Sequence, residues 1–176
     1  MPQHRLKLIT EHGERRGGAT VSFDEFFEAE SEPLFRRLWL VTRSQHEAEE
    51  VMQDAFLRLL ERWDRVEEID DPAAYLYRIA FNAWNKRARR AARALRTALA
   101  PPGPADDVDA ADARTLVGEA LARLTARQRA AVVLTELLGF TSEEAGEILG
   151  IRAVTARVLT SQARAAMRAH LGAIDG

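Results

Sequence analysis

Arg78, Asn82, Asn85 and Arg89 follow one another at spacings of four, three and four, the intervals that stack side chains along one face of a helix. Guanidinium groups on such a face hold phosphates, and a carboxamide carries donor and acceptor together, which suits it to reading the edge of a base. The chemistry on offer is recognition of nucleic acid. Lys86 and Arg90 extend the cationic set, and Trp84 lies among them with two readings. It packs against Phe81 or the preceding helix, or it stacks on an unpaired base, an interaction worth roughly 1 to 3 kcal/mol.

The surrounding charge is segregated. From Glu47 to Asp71 there are ten acidic residues against three arginines, whereas from Pro72 to Ala105 there are seven basic residues and no acid. A formal net charge of −2 therefore conceals two opposite surfaces. Phosphates attract the second and repel the first, so the basic segment is a candidate nucleic-acid face and the acidic one calls for a basic protein surface. A solvated helix face also carries charge, but it ordinarily mixes signs.

Other chemistry finds little support. His4, His12, His46 and His170 are scattered, with no carboxylate pair beside any of them in a metal or acid-base pattern, and no glycine loop suits a phosphate. We therefore expect neither enzyme activity, nor a metal, nor a cofactor. The chain has no cysteine, which excludes disulfides and thiolate zinc sites and is compatible with a reducing cytoplasm. No run reaches the roughly 18 apolar residues of a membrane span, so membrane insertion is not expected.

The elements that must position these residues read as helices throughout. Ser22 with Glu25 forms a capping box, and Phe23, Phe26, Phe27, Leu34, Leu38 and Trp39 follow as a buried stripe. Ser44 with Glu47 repeats the box. Ala48, Val51, Met52, Ala55, Phe56, Leu59, Leu60 and Trp63 then recur with helical period, which predicts an amphipathic helix with a free outer face. Asp71-Pro72 reads as an N-cap with proline in the first turn of the basic helix, whose inward residues are Tyr75, Leu76, Ile79, Ala80 and Ala83. Residues 97 to 111, TALAPPGPADDVDAA, break the pattern and read as a flexible linker that would let the halves sit well apart.

Beyond the linker, Leu116, Val117, Ala120, Leu121 and Leu124 share a face, Thr125 and Gln128 make a capping box, and Ala131, Val132, Leu134, Leu137 and Leu138 supply the next apolar stripe up to Gly139. Thr141 with Glu144 opens a short helix closed by Gly150, and a last helix is expected from about Ala153 to His170. Short helix, turn and longer cationic helix is the helix-turn-helix arrangement, whose second helix enters the major groove of DNA. The fold class expected is all-α. Two small helical domains (22–96 and 112–172, the second with the helix-turn-helix) follow an N-terminal tail, 1–21, and flank the linker, 97–111.

In that order the segments resemble the sigma factors of bacterial RNA polymerase, in the extracytoplasmic-function group that keeps regions two and four. HEAEEVMQDAFLRLLERW is similar to the helix that docks on the polymerase clamp, and PAAYLYRIAFNAWNKRARR to the promoter-melting part of region two, with its R-x-A-x-N core at Arg78, Ala80 and Asn82. The stretch from Ala120 to Met167 is similar to region four. The resemblance implies that Glu50, Gln53 and Asp54 hold core RNA polymerase and that Asn82 lies near a flipped base of the minus-ten element. Arg78, Asn85, Lys86, Arg89 and Arg90 would then hold the single strand. It also implies that Thr155, Arg157, Val158, Ser161 and Gln162 meet the minus-thirty-five duplex, with Arg152 and Arg164 on phosphates. Many relatives are held by an anti-sigma factor, which joins polymerase and promoter DNA among the expected partners.

This chain departs from the family's habits at Lys86, at Glu144-Ala145-Gly146 before the turn, and at Val154 to Arg157 after it. The expected function is promoter recognition and DNA melting in transcription initiation. Two other classes compete with it: a helix-turn-helix regulator that binds DNA alone, and a helical partner-binding module.

Overall fold

The computed structural model describes residues 21–66, 70–98 and 116–172, with the side chains of 95–98 and Leu116 left aside. The expected tail, all but its last residue, and the linker beyond Ala98 lie outside the described residues. Those described form an all-α structure.

Helix α1 (Phe23–Thr42) starts where the sequence places its cap: Glu25 N donates to Ser22 Oγ at 3.2 Å and Ser22 N donates back to Glu25 Oε2 at 2.9 Å. Pro33 stands inside α1 without an amide to donate, so the Ala29 carbonyl loses its usual helical partner. Arg43 ends the helix in the left-handed region at φ 59°, with its guanidinium 4.6 Å from the Trp39 ring centroid. Helix α2 (Gln45–Leu60) follows at once, then the single turn α3 (Trp63–Val66) and the long α4 (Pro72–Ala98), opened by Asp71 accepting from Ala74 N at 2.8 Å. Leu34, Leu38, Val51, Leu59, Leu76 and Phe81 fill the space between α1, α2 and α4. Phe23, Phe26, Phe27, Phe56 and Trp63 make an aromatic cluster at its end, with centroids 4.7 to 6.4 Å apart. Phe27 and Leu60, expected inside, are 41% and 50% exposed, because each lies at the rim of its helix's apolar arc and no further element among the described residues covers it.

In the second half, α5 (Leu116–Ala122) leads to α6 (Ala126–Val132), capped reciprocally by Thr125 and Gln128. Helix α6 runs on into a π-helical turn, Val133–Leu137, where Leu138 N reaches back five residues to Val133 O at 3.0 Å. Then come α7 (Ser142–Leu149), with its Thr141–Glu144 box and Gly150 closing it at φ 63°, and α8 (Ala153–Gly172). Leu137 and Val117, expected to be buried, are exposed. For Leu137 the wider π turn rotates the residue off the apolar stripe that an α-helical period assigns to it.

The two halves pack together. One hydrophobic cluster runs from Leu38, Phe81 and Trp84 to Leu134, Ile148 and Leu149, and Leu40 of α1 packs on the cluster of Leu121, Leu124, Val132 and Ala163. Arg129 of α6 fastens the junction by donating its Nε to Val41 O at 2.9 Å. An open cleft of about 490 Å³ remains between the end of α1, the middle of α4 and the α5–α6 corner.

Candidate polymerase and nucleic-acid interfaces

On α2, Ser44 accepts from Glu47 N at 3.3 Å and sets the helix start. The Glu47 carboxyl lies half-buried near Arg87 and Arg129, and burial outweighs those cations and pushes its pKa up. Glu50, Gln53 and Asp54 then share the outer face with Leu57, which is 61% exposed. Glu50 accepts from Arg87 Nη2 at 2.6 Å and Asp54 from Arg58 Nη2 at 3.0 Å. Pairs this exposed are worth little in water, roughly 0 to 1 kcal/mol, so the carboxylates remain available to a stronger cationic partner. An acidic face ringed by Leu57 and Leu60 has the make-up of a protein-docking surface.

On α4 the expected outward face is divided. Lys86, Arg89 and Arg90 are exposed, and Arg78 and Asn82 are half-covered. Asn85 corrects the expectation: it is only 8% exposed, because α7 lies over it and its Nδ2 stands 3.5 Å from Ile148 O. Arg78 Nη2 donates to Glu144 Oε1 at 2.9 Å, and the same guanidinium lies 5.7 Å from the Phe140 ring centroid. Trp84 is 3% exposed, edge-on to Phe81 at 6.5 Å, which places it in the core in this conformation, where no base reaches it.

Arg152, in the turn before α8, and Arg157, Val158, Ser161, Gln162 and Arg164 on α8 are exposed, and Thr155 is half-covered. Val154, one turn before Val158 and not among the expected site residues, extends their stripe with another exposed apolar group. Gln162 accepts from Gln128 Nε2 at 3.4 Å and Arg164 pairs with Glu136, so α6 and the π turn each steady one of the residues aimed outward. The turn itself is tight: Gly150 N donates to Glu147 O, and Ile151 N to Gly146 O at 2.9 Å.

A family model described as Sigma-70 region 2 matches residues 26–94, and one described as Sigma-70, region 4 matches residues 114–167. Together they take in most of the chain, in family order. The chain belongs to the sigma-70 family of RNA polymerase sigma factors, in its extracytoplasmic-function arrangement. Among curated relatives, this sigma factor is 29% identical over 161 residues to the RNA polymerase sigma-E factor of Streptomyces coelicolor, an alignment covering 90% of each chain. It is 29% identical over 159 residues to the extracytoplasmic-function sigma factor SigM of Mycobacterium tuberculosis, covering 90% of this chain and 81% of that one. In fold it is similar to the sigma factor RpoE of Bartonella quintana, solved with the anti-sigma factor NepR, at a TM-score of 0.62 and 23% identity over 85% of this chain and 96% of that one. The sigma factor SigJ of Mycobacterium tuberculosis gives a TM-score of 0.55 at 29% identity, over 82% of this chain and 53% of the other.

Within the sigma factor, the structure gathers Glu50, Gln53 and Asp54 on one face of α2 and the α8 residues on another surface, but ties Arg78 and Asn85 to α7. Sequence reasoning did not single out Arg87, which joins α4 to α2 through Glu50, or Arg43, which is buried on Trp39. Arg87 lies inside a run of cations where nothing local marks one as a partner of an acid 37 residues away. Among the described residues no helix is long and apolar enough to cross a membrane.

Proposed function

We propose that this sigma factor directs transcription initiation through three separate surfaces. The α2 face of Glu50, Gln53 and Asp54 binds the core polymerase. Helix α8 reads upstream duplex, with Thr155, Arg157, Val158, Ser161 and Gln162 toward base edges and Arg152 and Arg164 toward phosphates. Helix α4 captures bases as the duplex opens, with Asn82 beside the extruded base and Arg78, Asn85, Lys86, Arg89 and Arg90 along the strand. Trp84 supports that helix from beneath. The working units are residues 22–96 and 112–172, joined by 97–111; polymerase supplies the catalysis, and the site of action is the cytoplasm, where polymerase works. An anti-sigma factor as inhibitory partner belongs to the same proposal.

The observation that carries this reading is the separation of charge onto different helices. Helix α2 shows carboxylates and exposed leucines, while α8 shows arginines and no acid, in a chain matched by regions two and four. A regulator that binds DNA alone leaves the α2 face without a task. Extruding a base costs a few kcal/mol that contacts in the pocket must offset. Asn82→Ala is therefore expected to lower open-complex formation with core polymerase at least about tenfold, roughly 1.4 kcal/mol, while core binding is kept. Permanganate footprinting beside a polymerase-binding assay checks this, and loss of core binding with normal melting would contradict the assignment.

A further inference from the structure

We infer that Val154 and Val158 read thymine in the upstream duplex, each laying its side chain on a C5-methyl group in the major groove. The inference rests on the proposal that α8 reads that duplex, and it names the base to be read. Both valines stand on the solvent side of α8, one turn apart, 51% and 47% exposed. Single exposed valines are ordinary. Two at the centre of a recognition face are not.

Their central place follows from how α8 is seated. Ala156, Thr160 and Ala163 form its buried line. Three contacts set its rotation on that line: Thr160 Oγ1 lies 3.3 Å from Thr135 Oγ1, Gln162 accepts from Gln128 Nε2, and Arg164 pairs with Glu136. The start of the helix is held as well, since a Cβ on Gly146 would lie 3.2 Å from Ala153 N. At about 100° per residue, Val154 and Val158 then fall on either side of the direction opposite the buried line, closer to it than any arginine of the helix. Arg157, Arg164 and Arg168 share one flank, and α8 carries no acid. The face is cationic at its margin, as phosphates require, and apolar where it points at the floor of the groove.

The chemistry selects one base. Thymine alone presents a methyl group in the major groove, and an apolar side chain set against the donors and acceptors of the other bases removes their water without replacing it. Valine, branched at Cβ, holds one χ1 rotamer in a helix and so loses little freedom on contact. Four residues rise about 6 Å along the axis against about 3.4 Å per base pair, so the two thymines should lie within about two base-pair steps of each other.

The test uses the holoenzyme, the full chain with core polymerase, to select from randomised duplex DNA. The chain has no cysteine, so an iron chelate attached at the exposed Ala169→Cys before assembly cuts the duplex beside α8 and locates the element read there. That element should contain two thymines within the stated spacing. Replacing either by deoxyuridine, which lacks only the methyl group, should weaken binding about fourfold, the worth of one buried methyl. Val154→Ala and Val158→Ala should each lose the response at one of the two positions. Alanine is the better helix former, so helix content should be kept. An element without thymine, equal binding of the deoxyuridine duplexes, or alanine variants that keep the full response would each overturn the methyl reading while leaving α8 as a reader of duplex. Selection that enriches no sequence beside α8 would remove that role and the inference with it.

Discussion

Glu30 is the residue whose surroundings disagree most with its charge. It lies half-buried on α1, with Oε2 lacking a hydrogen-bond partner, and its pKa is pushed up to about 7, first by burial and then by Asp71, against a smaller pull from Arg37. A carboxyl whose folded pKa exceeds its unfolded value takes up a proton on folding, so its contribution is most favourable at low pH and is lost as pH rises through the interval from about 4.5 to about 7. Glu30→Gln is thus expected to raise Tm at about pH 8, change it little near pH 5, and flatten the slope between. Thermal melts across that range check it, and equal pH slopes for both proteins would contradict it. Residue identity alone gave no sign of this, since an acid in an acidic helix start reads as solvated. Trp84 and Asn85 teach a related lesson: spacing assigned Asn85 to the outer face correctly for an isolated helix, and only the arrival of α7 covers it.

At the scale of elements, the caps were legible because their chemistry is local. Ser22 with Glu25, Thr125 with Gln128 and Thr141 with Glu144 all form reciprocal boxes, and Asp71, Gly139 and Gly150 mark the helix ends expected of them. The π turn at Val133–Leu137 was not legible, because an apolar run carries no mark of a five-residue hydrogen-bond step. Gly146 is where element packing becomes specific. A Cβ there would lie 2.8 Å from Ile151 O and 3.2 Å from Ala153 N, so the glycine lets α7 cross the start of α8 at close range. Alanine improves helix propensity by roughly 0.5 to 1 kcal/mol, but overpacking against backbone costs about 1 to 3. Gly146→Ala should lower stability by about 1 kcal/mol net in urea denaturation, and weaken duplex binding by shifting Arg152 and Thr155. A stabilised variant would show that the turn yields freely.

For the whole molecule, the sequence foretold the sorting of charge but not the packing of the halves. Arg78–Glu144, Asn85–Ile148 and Arg129–Val41 join residues 66, 63 and 88 positions apart, and no periodicity within one helix encodes such pairings. What periodicity does encode is which helices are amphipathic, and the apolar faces of α1 and α4 left over in the first half close on α6 and α7 of the second. In the proposed division of labour the acidic α2 face grips polymerase while cationic faces grip DNA. Titration of the fluorescently labelled chain with core polymerase lacking a sigma subunit, at low and raised salt, tests it most directly. Saturable binding that weakens with salt is expected, and Asp54→Lys should weaken it about tenfold or more with helix content unchanged. A correctly folded chain that fails to bind at low salt, or an Asp54→Lys variant that binds as well as the original, would contradict it.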